Sequence, residues 1–170
     1  MQILPLFLLS TLLIAAALSD IISLRIPNWL TLLIAALFFP FALIMQMPWA
    51  EFLWHLLAGA ILLGAGYLLF TFRVFGAGDG KLMAATGLWI GTLKLFPFLF
   101  VTALVGGALA ICIGIWSVAM MFWEFEGEKA PLVDLGKRMR ALKPSVPYGV
   151  ALAIGGIVAF KDTWWMNGLH

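Results

Sequence analysis

The sequence predicts an all-α polytopic membrane protein with about six transmembrane helices. Of its 170 residues, 64% are hydrophobic and only 11% are charged, and the mean hydropathy is +1.10. A soluble domain carries roughly 25% charged residues, so this chain has too few polar side chains to cover a surface in water. In addition, the apolar residues form long stretches that are separated by proline, glycine and charged residues. Both observations indicate a chain that repeatedly crosses a lipid bilayer.

A helix rises about 1.5 Å per residue and crosses the roughly 30 Å hydrocarbon layer in about 20 residues. The predicted spans lie near residues 3–19, 29–47, 52–72, 81–95, 96–122 and 147–165. Pro27 suits the start of the second span because its fixed φ fits a first helical turn, and Pro48 precedes the third. Lys94 and Pro97 separate the fourth span from the fifth. We expect residues 1–170 to form a single membrane-embedded domain.

The basic residues predict the orientation of this domain. With six spans, eight of the ten Lys and Arg residues fall on one side of the membrane. These eight are Arg25, Arg73, Lys81, Lys129, Lys137, Arg138, Arg140 and Lys143. Because basic residues concentrate on the cytoplasmic side, both termini are expected on the opposite side. Tryptophans agree with these boundaries, with Trp29 and Trp123 at the inner interface and Trp49, Trp54, Trp164 and Trp165 at the outer one.

The long connection over residues 123–146 is predicted to be a cytoplasmic loop. Four apolar residues in it recur at helical spacing, namely Leu132, Leu135, Met139 and Leu142. Basic residues lie between them. This pattern is typical of a helix that lies along an anionic leaflet, and a solvated loop with one helical turn is the alternative. The single cysteine, Cys112, excludes an intramolecular disulfide framework and a cysteine-based zinc module. A net charge of +2 does not indicate nucleic-acid binding.

Two aspartates are candidates for a chemical role. An ionisable residue in a membrane span costs roughly 2.5–3.5 kcal/mol on insertion scales, so each one needs a reason. Asp20 ends the first span and Asp79 opens the fourth, and the topology places both on the cytoplasmic side. From Lys81 to Leu93 the fourth span covers only about 20 Å, which recesses Asp79 into the inner leaflet. A recessed carboxylate must line a cavity that admits water.

Glycines surround Asp79 on both sides, at Gly76, Gly78 and Gly80. Residues without a Cβ let an extended peptide approach the backbone closely, which suits a carboxylate that acts on a peptide. A flexible turn capped by an aspartate is the purely structural alternative. Two facing carboxylates hold one proton between them, so that one activates water and the other protonates a carbonyl or leaving nitrogen. Metal binding is the competing chemistry, but neither His55 nor His170 falls on the same side, which leaves no obvious further ligands apart from the acidic residues of the long loop. We therefore expect no metal, and we also expect no cofactor.

The sequence resembles the type IV prepilin peptidases, which carry a GxGD motif, and among them the short branch of tight-adherence (Flp-type) pilus assembly. Three segments carry the resemblance: 20–29 with Arg25, Pro27 and Asn28, 76–82 with GxGDxKL, and 147–149 with Pro-Tyr-Gly. It implies cleavage of the basic prepilin leader at the cytoplasmic face of the bacterial inner membrane, with Asp20 and Asp79 as the catalytic pair. Larger members also N-methylate the new amino terminus and carry paired CxxC motifs. Because this chain has one cysteine, we expect no methyltransferase activity.

Supporting roles are also expected for other motif residues. Arg25 and Lys81 are interpreted as anchors at lipid phosphates or as substrate contacts. Asn28 is interpreted as structural, satisfying open backbone groups next to Pro27. No chemistry follows from the residue types at 147–149. The identity of the prepilin and the oligomeric state are left open.

Two other functions compete with this interpretation. The presenilin and signal peptide peptidase group also carries GxGD, but it pairs Tyr-Asp with that motif, whereas Ser19 precedes Asp20 here. A small ion-coupled transporter would also use membrane carboxylates. Its site is expected near the midplane between repeats, whereas both aspartates lie toward one side and the sequence contains no evident repeat.

Overall fold

The structure, a computed structural model, describes residues 3–124 and 146–167, and all regular structure in these ranges is helical. Five helices precede the gap: α1 (Ile3–Ser23), α2 (Asn28–Ile44), α3 (Trp49–Thr71), α4 (Ala77–Ile90) and α5 (Leu95–Glu124). Two follow it: α6 (Tyr148–Phe160) and the short α7 (Trp164–Asn167). The predicted all-α fold is confirmed. The predicted interfacial helix and the basic residues of the long loop lie outside the described residues.

Three helices contain apolar stretches long enough to cross a membrane. These stretches are Leu4–Ser23 in α1, Trp49–Thr71 in α3 and Thr92–Met120, which runs through most of α5. The apolar helices α2 and α6 are shorter, with 17 and 13 residues. Large apolar side chains on the outer surfaces of the helices are exposed, among them Leu33, Ile61 and Ile115. A bilayer covers such surfaces, and the protein is a polytopic membrane protein.

Helix α4 lies inside the bundle and carries Asp79 in its first turn. It packs most extensively against α3 and also contacts α2 and α6, while α6 packs against α1 and α5. With 14 residues, α4 is about 21 Å long, in agreement with the short fourth span expected from the sequence. The backbones of α3 and α4 meet at two glycines, because a Cβ on Gly66 would lie 2.7 Å from the Cα of Gly80. This close approach fixes the first turn of α4 against α3.

The break between α4 and α5 lies earlier than the sequence predicted. We expected it at Lys94 and Pro97, but α4 ends at Ile90 and is followed by Gly91, whose φ is +74°. A 3-10 helix (Thr92–Lys94) then leads directly into α5. A positive φ of this kind suits glycine because it lacks a Cβ. Pro97 is accommodated in the first turn of α5, where its missing N–H has no intrahelical acceptor.

Buried aromatic side chains fill the end of the bundle opposite Asp79. The indole N–H of Trp89 donates to the carbonyl of Ile34 at 2.8 Å, and that of Trp165 donates to the carbonyl of Trp89 at 2.7 Å. Trp165 is only 2% exposed, so its side chain packs inside the protein. His55 is also buried here, with its Nδ1 donating to the carbonyl of Leu88 at 2.7 Å. These contacts join α2, α3, α4 and α7.

Candidate active site

Asp20 lies in the last turn of α1 and is only 5% exposed. Its Oδ2 accepts a hydrogen bond of 2.7 Å from the backbone N–H of Gly149, in the first turn of α6. The two residues are in tight contact, because a Cβ on Gly149 would lie 2.8 Å from Oδ2 and 2.9 Å from the Cβ of Asp20. A buried carboxylate is therefore held at one oxygen by the start of another helix.

Asp79 is less buried than Asp20 and lies three residues after Gly76, the residue that precedes α4. The backbone N–H of Gly76 donates to Oδ2 of Asp79 at 3.1 Å. This is the arrangement in which an acidic side chain in the first turn caps a helix, and the positive end of the α4 dipole favours the negative charge there. Capping thus orients Asp79, while the other carboxylate oxygen, Oδ1, has no protein hydrogen bond among the described residues.

The structure brings Asp20 and Asp79 to the same end of the bundle. Asp20 lies in the last turn of α1, and Asp79 lies in the first turn of α4. The segments that carry them are further linked by Tyr148, whose ring packs on Phe75 with the centroids 4.8 Å apart. Two carboxylates so placed, each with one oxygen held by an amide, provide a group that can accept a proton and a group that can donate one.

The neighbouring glycines have packing roles in the structure. A Cβ on Gly78 would lie 3.2 Å from the Cβ of Ile26, in the connection between α1 and α2, and Gly80 lies against Gly66. A Cβ on Gly76 would lie 3.0 Å from Oδ2 of Asp79. These contacts explain small residues at all three positions. Close approach of a substrate to this backbone remains a prediction.

Asn28 has a different partner from the one the sequence suggested. We expected its side chain to satisfy backbone groups next to Pro27, but its Oδ1 accepts a hydrogen bond of 2.8 Å from Nζ of Lys81. Pro27 directly precedes α2, as predicted, and no side chain caps that helix. The Lys81 ammonium thus links α4 to α2 two residues after Asp79. Arg25 is exposed, and its carbonyl accepts hydrogen bonds from the hydroxyls of Ser19 and Ser23 at 2.9 and 3.1 Å.

An open groove of about 520 Å³ runs between α2, α3 and α4. Its walls are mainly apolar, and Asn28 and Lys81 contribute polar groups. A smaller groove of about 200 Å³ between α3 and α4 shares Leu63 and Lys81 with it and includes Ala77 and Gly80. Together the two grooves form an apolar surface beside the first turn of α4.

No group of three or more His, Cys, Asp or Glu side chains in the described ranges is arranged to hold a metal ion. His55 contacts the rings of Phe38 and Trp165 in the aromatic cluster, at the other end of the bundle from Asp79. The long loop carries Glu126, Glu128 and Asp134, and these residues lie outside the described ranges.

Fold and site together define a polytopic membrane protein with two aspartates at one end of its helices. The model of the type IV leader peptidase family matches residues 7–111, more than half of the chain, and the protein belongs to this family. The match includes Asp20, Asp79 and the glycines around Asp79. No curated protein and no solved structure matches the chain significantly. The resemblance to prepilin peptidases is thereby confirmed: the protein is a membrane-embedded peptidase that acts on prepilins.

Two features of the site escaped prediction from the sequence. One is the contact of Gly149 with Asp20 across 129 residues, and the other is the pairing of Asn28 with Lys81 across 53. Both pairs lie in motifs that carry the family resemblance. The motifs therefore singled out these residues, but they did not show which residues each of them contacts. The contact partners become visible only when the helices are packed together.

Proposed function

We propose that the protein removes the leader peptide of type IV prepilins by aspartic catalysis, with Asp20 and Asp79 as the catalytic pair. The observation that carries this proposal is the pair of amide-held carboxylates at one end of the bundle. One carboxylate takes a proton from the water that attacks the scissile carbonyl. The other gives the shared proton to the carbonyl oxygen, which forms a tetrahedral intermediate. When the C–N bond breaks, the proton taken from water passes to the leaving nitrogen, and a hydroxyl of the intermediate returns a proton to the second carboxylate. A dyad that shares one proton can perform both steps.

The family match favours leader cleavage over the alternatives. A presenilin-like protease shares the GxGD motif, but the family whose model matches this chain is that of the leader peptidases. A transporter site is expected near the midplane. Asp20 and Asp79 instead lie in the last turn of α1 and the first turn of α4, at one end of the helices. Leader cleavage accounts for this position, since a peptide from the aqueous side can reach it.

The grooves beside α4 support a substrate that is partly embedded in the membrane. Their apolar walls fit apolar side chains, and their shared residue Lys81 lies two positions after Asp79. A peptide bound at the aspartates could therefore continue along α4 with its apolar side chains removed from water. We assign this surface to the prepilin, and the substrate to the Flp-like class on the resemblance of the three motifs.

Coexpression tests the proposed function directly. The protein is produced in a host without its own prepilin peptidase, together with the prepilin encoded beside it in the genome. Immunoblots are expected to show the faster-migrating mature pilin, with the new amino terminus at the end of the leader. Full-length prepilin alone, in the presence of folded protein in the membrane, would contradict the proposal.

We place the active site at the cytoplasmic face of the inner membrane. Arg25 and Arg73 lie in the connections at the end of the bundle that holds the aspartates, whereas Lys94 and Lys161 lie toward the other end. Reporter fusions are expected to place Lys137 in the cytoplasm and His170 on the opposite side, because basic residues remain inside. Finding both reporters on the same side would contradict the predicted topology.

The proposed activity is proteolysis without N-methylation. The chain has no CxxC motif, which accompanies methylation in the larger relatives, and the sequence from Glu124 to Val146 contains no glycine-rich motif of the kind that binds a nucleotide. Mature pilin made with this enzyme alone is therefore expected to carry an unmodified amino terminus. Intact-mass spectrometry checks this, and a methyl mass increase that depends on this protein alone would refute the monofunctional assignment while leaving the proteolytic one in place.

A further inference from the structure

Resting on the proposed function, we infer that Tyr148 and Gly149, in the first turn of α6, are positioning residues that hold the two catalytic aspartates in register. This turn contacts both segments of the site. Gly149 binds Asp20 through its N–H, and Tyr148 packs on Phe75, which directly precedes Gly76. Since Gly76 in turn binds Asp79, one turn of α6 is linked to both carboxylates.

The N–H of Gly149 is well suited to hold a carboxylate. Backbone N–H groups in the first turn of a helix have no intrahelical acceptor, and they lie at the positive end of the helix dipole. Pro147 precedes α6, so Gly149 belongs to that first turn. The 2.7 Å bond to buried Asp20 satisfies the donor and fixes one carboxylate oxygen at the same time.

Contact with Asp20, not backbone conformation, explains why position 149 is glycine. Gly91 is the glycine with positive φ in the described ranges, so the backbone of Gly149 is open to other residues. A Cβ there would meet three atoms of Asp20 within 3.1 Å. One of these is the Cβ of Asp20, which is fixed to α1 and cannot move by side-chain rotation alone. Any larger residue must therefore displace the carboxylate or separate α6 from α1.

Tyr148 is held in place on two sides. Its ring packs on Phe75, and a Cβ on Gly106 of α5 would lie 3.1 Å from its Cε1. The ring thus fills the space between α5 and the segment that leads into α4. The contacts of Tyr148 on which this inference rests are contacts of its ring.

The hydrogen bonds from the N–H groups of Gly149 and Gly76 also distinguish the two oxygens of each carboxylate. Gly149 N–H binds Oδ2 of Asp20, and Gly76 N–H binds Oδ2 of Asp79. An oxygen that accepts an amide hydrogen bond is the poorer place for the proton, because a protonated oxygen is the weaker acceptor. The geometry therefore reserves Oδ1 of each aspartate for the shared proton and the attacking water.

A set of glycine variants tests this inference with prepilin cleavage by the purified full-length protein. Gly149→Ala is expected to lower kcat per folded molecule by about 100-fold, since a misplacement of about 1 Å costs that much, with KM changed less than about twofold. Gly155→Ala, on the same helix, places a Cβ against Thr102 and the Phe98 carbonyl, and it should lower the melting temperature but keep the kcat of the folded fraction. Gly107→Ala meets no atom within 4 Å and should behave as wild type.

Tyr148 variants provide the second measurement, in case Gly149→Ala does not fold. Tyr148→Phe keeps the ring and is expected to retain wild-type kcat, whereas Tyr148→Leu loses the contact with Phe75 and should lower kcat with little change in KM. Wild-type kcat in Gly149→Ala or in Tyr148→Leu overturns the inference. A loss of activity that is fully explained by a smaller folded fraction, as expected for Gly155→Ala, also overturns it. If wild-type protein cleaves and Asp20→Asn does not, such a result leaves the proposed function intact. No cleavage by wild-type protein overturns both.

Discussion

Asp20→Asn and Asp79→Asn are each expected to lower leader cleavage by at least about 100-fold while the protein remains folded in the membrane. Asparagine keeps the shape of aspartate, and its carbonyl oxygen can still accept the hydrogen bonds from Gly149 and Gly76. It cannot exchange the proton that water activation and departure of the leaving nitrogen require. Activity is measured as the rate of prepilin conversion, and folding as the melting temperature and elution volume in detergent.

Asp162→Asn is the matched control for these variants. Asp162 is exposed and lies between α6 and α7, at the end of the bundle away from the candidate site. The control should cleave prepilin at the wild-type rate. Near wild-type activity in Asp20→Asn or in Asp79→Asn would mean that the catalytic pair is wrongly assigned.

Trp89→Ala is expected to produce the largest loss of stability, about 3–5 kcal/mol in the free energy of unfolding. The side chain is fully buried in the aromatic cluster, where it contacts Phe38 and Trp165. Its removal leaves a cavity that the surrounding rings cannot fill, and it also removes the hydrogen bond to the Ile34 carbonyl. Thermal or denaturant unfolding of the purified protein in detergent measures the effect.

Trp116→Ala provides the comparison for that loss. Trp116 lies on α5 and is 68% exposed, so its truncation removes few contacts within the protein. We expect its unfolding free energy to differ from that of wild type by less than about 1 kcal/mol. Equal destabilisation by the two tryptophan variants would contradict the described core.

The positions of the helices were predictable because the bilayer imposes a simple rule on the sequence. Each apolar stretch corresponds to a helix, and Pro27 and Pro48 directly precede α2 and α3, as expected. The rule fails where tertiary contacts decide. Gly91, which follows α4, has a positive φ and lies against the ring of His55, and hydropathy does not detect such a contact. The burial of Trp165 is likewise not visible in the sequence, since composition cannot distinguish a lipid-exposed tryptophan from one that packs inside the protein.

The candidate site was predictable only to the level of its two aspartates. Counting crossings places Asp20 and Asp79 on one side, and the motif spacing adds the neighbouring glycines and Lys81. The partner of Asp20 was not predictable, because its donor is a backbone N–H, a group that almost every residue has. The sign of this contact in the sequence was a glycine at position 149, where the backbone conformation does not require one. The role of Asn28 was not predictable either, because its Oδ1 accepts a hydrogen bond from Lys81, which lies on another helix.

The central claim is that this protein itself cleaves the prepilin leader by means of its two aspartates. The most direct test incubates purified wild-type protein with purified prepilin in detergent containing a chelator, and follows both products by mass spectrometry. We predict that the leader and the mature pilin appear at equal rates, and that neither appears with Asp20→Asn or Asp79→Asn. Intact prepilin after incubation with folded wild-type protein, or cleavage that persists in either aspartate variant, would contradict the account.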